Sequence, residues 1–191
     1  MTTEDIVKRR KVIEMMTSMH SCLFDRNRLK AKILDVFLIS ISVFLLAFSF
    51  IDPMLLKHFG YDEFFPKIVI GLIGVIISTV SLLSYIVDWK SRSTSHEQAF
   101  RSLLGLKTEW TIFENESKVP NMRKYLALES KTSLIMSQMI PISDKLFNRL
   151  KSKHYKKVLI SKTISAHPGA SPFLVNLNII IRDTRKALLS R

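Results

Sequence analysis

The chain has 191 residues, with 29 Lys+Arg against 16 Asp+Glu, a formal net charge of +13 and a mean hydropathy of +0.17. The single cysteine, Cys22, excludes an internal disulfide, and the five histidines are too scattered for zinc spacing. The five glycines form no P-loop, no G-x-G-x-x-G and no G-x-S-x-G, so no catalytic residue, cofactor or metal ligand is assigned and an enzyme is disfavoured.

Residues 1–32 are polar and basic, which argues against a cleavable signal peptide. Thr2 with Asp5 makes a weak capping box, and Ile6, Ile13, Met16, Met19 and Leu23 form an irregular apolar stripe. No glycine or proline lies between Thr2 and Asp52, so one long helix is expected to run into the first apolar segment. Cys22 is either a palmitoylation site near a span or a small apolar residue.

Two apolar segments follow, Ile33 to Ile51 and about Ile68 to Val87. Each is about 20 residues, roughly 30 Å of helix and enough to cross a bilayer core. Tyr85 and Trp89 suit the interface at the end of the second span. The linker, Asp52 to Pro66, holds Asp52, Asp62 and Glu63 against Lys57. Lys8, Arg9, Arg10, Lys11, Arg26, Arg28, Lys30 and Lys32 precede the first span, and Lys90 and Arg92 follow the second. The positive-inside rule then places both termini in the cytoplasm and the linker outside, with Lys67 dissenting. Within the spans, Asp35, Ser42 and Ser49 are spaced seven apart on one side of a helix. Gly71, Gly74, Ser78 and Ser81 make a stripe of small residues. Such stripes either pack one span against another or line a water-filled path in an oligomer.

Beyond the second span, Trp89, His96, Ala99, Phe100, Leu103, Leu106, Trp110 and Phe113 recur at three or four residues, predicting an amphipathic helix that continues the span. His96 on this face reads as a buried core residue rather than a ligand. Pro120 and Asn121 mark a break. A helical pattern over 122–140, with Met122, Leu126, Leu128, Ile135, Met139 and Ile140, ends at Pro141. Ser143 suits the N-cap of a further helix carrying Leu146, Phe147, Leu150, Tyr155 and Val158. After the HPGASP loop, Ser171 and Pro172 suit the start of a last helix, with a strand left open over Asn176 to Ile181. The run Lys145 to Lys162 is a solvated face or a contact for anionic lipid or RNA, with Lys151, Lys153, Lys156 and Lys157 as the lipid or partner candidates. Tyr155 and His154 are too few for a base-stacking platform, so nucleic acid is the weaker partner.

A basic N-terminal helix, a two-span hairpin, and then Trp89-Lys90 with His96, Ala99, Phe100 and Leu103 resemble the SLATT family over about residues 10–165. Members of that family are bacterial two-transmembrane effectors that associate with nucleotide-signalling enzymes, nucleotide sensors or reverse transcriptases. The resemblance implies a pore-forming role that permeabilises the inner membrane in anti-phage defence by abortive infection, and a homo-oligomer is expected. With no recognisable fused sensor domain, the expected trigger is a separate partner or the region after Pro168. It supplies no catalytic motif. The expected fold is an all-α membrane protein, a two-transmembrane hairpin continuing into cytosolic helices that form a small bundle. Its expected divisions are 1–32, 33–89, 90–166 and 167–191. The other readings are a non-conducting anchor or scaffold for a partner enzyme and a membrane-tethered nucleic-acid binder.

Overall fold

A computed structural model describes residues 3–50, 64–116 and 121–189. Thr2 and most of the Asp52–Pro66 linker lie outside these residues, as does Pro120. Among the described residues all regular structure is helical, in the order α1 (Thr3–Ser49), α2 (Phe64–Val87), α3 (Trp89–Glu116), α4 (Met122–Ser137), α5 (Asp144–Ala166) and α6 (Pro172–Leu189). The strand left open over Asn176 to Ile181 is therefore helix. Its Val/Ile content is overridden by a proline at the first helical position, which pre-sets φ for a helix.

α1 is a single helix of 47 residues, about 70 Å long, as the absence of glycine and proline predicts. α2 and α3 differ from the continuous helix expected. Asp88 between them has φ 45°, the left-handed region that favours glycine. Its own amide donates to Ser84 O at 3.0 Å and its carbonyl accepts from Arg92 N at 3.1 Å, so hydrogen bonding carries across the break. Its carboxylate accepts from Ser91 N at 3.0 Å, capping the start of α3. An aspartate tolerates this backbone because its short side chain bonds locally, at a cost of about 1–2 kcal/mol relative to a helical residue.

The chain divides into two compact units, Met1–Ser21 with Gln98–Arg191, and Cys22–Glu97. In the first, Ile6 and Ile13 of α1 cluster with Leu103, Leu106, Trp110 and Phe113 of α3. Tyr125, Leu128, Ile135, Met136 and Met139 pack against them. Trp110 is fully buried and is the pivot. Its indole Nε1 donates to Thr132 Oγ1 at 3.0 Å, and the buried Thr132 hydroxyl donates to Leu128 O at 2.7 Å. Tyr125 and Phe113 meet its ring edge-on, with centroids 5.7 and 6.2 Å away, a geometry that adds about 0.5–1.5 kcal/mol per pair beyond burial.

Ion pairs border this core. Arg9 pairs with Glu129, Arg10 with Glu114, and Lys107 Nζ with Glu14 at 2.9 Å. All are partly solvated, so each contributes at most about 1 kcal/mol and fixes register more than stability. α4 is capped by Asn121, whose side chain accepts from the amides of Arg123 and Lys124. Ser143 stands at the N-cap of α5 without a side-chain cap bond. Met122 and Leu126, part of the apolar pattern of α4, are exposed, while Thr132 is buried in their stead. α6 packs against α5.

Candidate functional site

The second unit contains the apolar parts of α1 and α2, the two helices among the described residues that are long and apolar enough to cross a membrane. A buried core helix in a soluble protein passes the same length test but hides its apolar residues. Here none of the apolar window of either helix is buried. Ile86 is 73% exposed and Ile39 64%. Such a continuous apolar surface is stable only against hydrocarbon or other apolar partners.

Each span has one half-covered side. In α1 it comprises Leu34, Leu38, Ile41, Leu45 and Phe48; in α2 it comprises Ile73, Gly74, Ile77, Val80, Ser84 and Val87. The spacing of three and four is the helical repeat. Asp35, Ser42 and Ser49 stand beside this side of α1 and are exposed. Gly71, Ser78 and Ser81 are exposed as well, and Gly74 is half-covered. The hydroxyls are satisfied within their own helices. Ser42 donates to Leu38 O at 2.8 Å, Ser49 to Leu46 O at 2.8 Å, and Ser78 to Gly74 O at 2.9 Å. That internal pairing removes most of the cost of a hydroxyl in hydrocarbon. A Cβ placed on Gly71 or Gly74 would meet nothing within 4 Å. Among the described residues, no close contact thus requires these positions to be glycine.

At the end of the hairpin, Ala31, Leu34 and Asp35 of α1 face Ser84, Tyr85, Ile86, Asp88, Trp89 and Lys90 across a cleft of about 590 Å³. The Lys30 ammonium lies 5.6 Å from the centroid of Trp89, and Ser93 Oγ donates to Phe24 O at 3.3 Å. Further along the same helices from the cleft, Leu23, Ser93 and His96 are buried. Burial pushes the His96 imidazole below its ordinary pKa, and the Arg92 charge adds to the shift. Sequence reasoning singled out Asp35 but not Asp88, which the structure brings to the same cleft. The only signal for Asp88 was an acid at the helix junction with a serine three residues later.

The basic candidates Lys151, Lys153, Lys156 and Lys157 all lie on α5, with Lys153 and Lys157 exposed and Lys151 and Lys156 half-covered. At about 100° per residue, Lys153, Lys156 and Lys157 share one side of the helix, within an arc of about 100°, and Lys151 lies on the other. Among the described residues no group of three or more His, Cys, Asp or Glu is placed to hold a metal ion. Comparison of the chain with known protein families, curated proteins and solved structures gives no match.

Proposed function

We propose that this protein is a bacterial two-transmembrane effector, similar to SLATT proteins, which self-associates in the inner membrane and permeabilises it when a separate partner activates it in anti-phage defence. Both termini lie in the cytoplasm in this reading, following the basic flanks of the spans. The extramembrane helices act as a small bundle that receives the trigger. One observation carries the proposal. The hairpin leaves a polar line, Asp35, Ser42 and Ser49, and small residues at Gly71, Ser78 and Ser81 exposed among the described residues. Small residues let helices of neighbouring copies approach closely, and an ionisable group near the span end favours a hydrated path.

The test joins assembly to conduction. A Cβ at Gly74 meets nothing within 4 Å among the described residues, so Gly74→Leu is expected to fold as a monomer while its oligomer on a native gel is lost. Phage-infected cells carrying the gene with its native neighbours should depolarise with the wild type and not with Gly74→Leu. An unchanged oligomer, or an intact potential in the wild type during full activation, sinks the reading.

A second reading, a non-conducting scaffold, draws on the exposed Leu104, Ile112, Leu126 and Leu134 of α3 and α4, which suit a partner protein. In that case substitution of Asp35, Ser42 and Ser49 leaves function intact, while polar substitution of these four residues abolishes it.

A further inference from the structure

α6 has an apolar face that stays exposed among the described residues. Phe173, Leu174, Leu177, Ile180, Ile181 and Leu188 are all exposed, with Phe173 at 72% and Ile181 at 60%. Their spacing of three and four places them on one side of the helix over about 24 Å. The opposite side is the covered one, where Ile179 is buried and Val175 and Asn176 are half-covered. At about 100° per residue, Arg185 falls beside Leu174 and Ile181 at the edge of the apolar face, and Arg182 lies further round toward the covered side. Both arginines are exposed. The surroundings are strongly basic, with eleven Lys and Arg against two Asp over residues 144–191.

We infer that α6 is an interfacial helix that docks on the surface of an anionic bilayer, with its apolar face sunk among the acyl chains and its arginines at the headgroups. The inference rests on the membrane reading above, because the spans supply the bilayer to which this segment is tethered. Charge selects the occupant. A second copy of so basic a segment meets its like with repulsion. A nucleic acid matches the charge but offers nothing for six aliphatic or phenyl side chains, since single strands bind by ring stacking. A bilayer with anionic lipid satisfies both halves at once, the combination that holds amphipathic helices about 5–10 Å into the headgroup boundary.

The test uses the full chain with Cys22→Ser and a single new thiol from Leu177→Cys, labelled with an environment-sensitive fluorophore. It is reconstituted in phosphatidylcholine vesicles with or without phosphatidylglycerol. The label should be quenched by spin labels near the lipid headgroups, at least about twofold more strongly with phosphatidylglycerol present. Adding Arg182→Glu and Arg185→Glu should abolish that difference. A second chain labelled through Leu82→Cys reports the span alone, by quenching from spin labels near the acyl-chain ends in both lipid mixtures. A Leu82 label left in water overturns the membrane hairpin itself. A quenched Leu82 label overturns the α6 inference alone if the Leu177 label stays in water. The same holds if the Leu177 label is shielded yet unquenched, as contact with another protein copy or with RNA would make it.

Discussion

The two units use apolar residues in opposite ways. In the unit around Trp110, six large side chains from two helices are buried against one another, and a third helix covers them. In the hairpin unit the most apolar helix of the chain, α2, leaves Leu72, Val75, Leu82 and Ile86 exposed. Polar groups follow the same division. The Trp110 indole bonds across helices to Thr132, whereas Ser42 and Ser78 bond back to carbonyls of their own helix. The difference teaches where each unit finds its solvent. The first buries its apolar side chains against one another, and the second leaves them on its surface, as a helix pair suited to a bilayer does.

The largest expected effect breaks the first half of that comparison. Trp110→Ala removes the pivot of the core and should cost about 3–5 kcal/mol. Limited proteolysis of membranes should then degrade the Gln98–Arg191 segment while the spans stay in the membrane fraction. Trp110→Phe keeps most of the packing but leaves Thr132 without its indole partner, for a loss of about 1–3 kcal/mol. If Trp110→Ala strips the hairpin from the membrane as well, the two units do not stabilise independently.

The next effect breaks the second half. Ile76 lies near the middle of α2 and is 48% exposed, and Leu126 on α4 is 59% exposed. By exposure alone, arginine should be tolerated at both. In hydrocarbon the same charge costs about 2.5–3.5 kcal/mol, while at a water-facing position a surface substitution stays within about 0.5 kcal/mol. Ile76→Arg should therefore deplete the protein from alkali-washed membranes, and Leu126→Arg should not. Equal behaviour of the two variants would show that α2 meets water.

How much of this was legible in sequence follows the same division. The two long apolar helices were legible because a long apolar run is one local demand, which needs no knowledge of partners. The core stripes of α1 and α3 were legible for a related reason. Ile6, Ile13 and Met19, and His96, Leu103, Leu106 and Trp110, recur at helical spacing and are buried. Thr132 was not legible, since a threonine among Lys131 and Ser133 becomes a core residue only because Trp110 lies within 3.0 Å. The ion pairs Arg9–Glu129 and Arg10–Glu114 join residues more than a hundred positions apart, and no local pattern encodes them. Asp88 was hidden because its backbone departs from helix at a single residue while the hydrogen bonds on either side persist. The polar line of Asp35, Ser42 and Ser49 was legible as a line, but its exposure beside the covered side of α1 required the positions of both spans.

The smallest effect sharpens the comparison by giving each unit its own titrating reporter. His96 belongs to the hairpin unit and His154 to the other. Burial lowers the pKa of both below the ordinary 6.5; Arg92 adds to the shift at His96, and Lys157 and Lys107 add to it at His154, where Glu14 opposes. With the folded pKa below the unfolded one, the unfolded chain binds more protons once pH drops toward 6.5. Stability should accordingly decline as pH falls from neutrality through that value, and level off below the folded pKa. Glu14 acts in a later window. Its carboxyl is held low chiefly by the hydrogen bond from Lys107, so its contribution is present above about the ordinary 4.5 and lost as pH falls through the folded value. Thermal melting of the detergent-purified protein, followed separately by proteolysis of each unit, reads both windows. His96→Gln should flatten the upper window for the hairpin unit alone, and His154→Gln for the Trp110 unit alone. If either variant flattens both, protonation in one unit is felt by the other. The chain connections between the units, after Ser21 in α1 and after Glu97 in α3, would then transmit stability rather than isolate it.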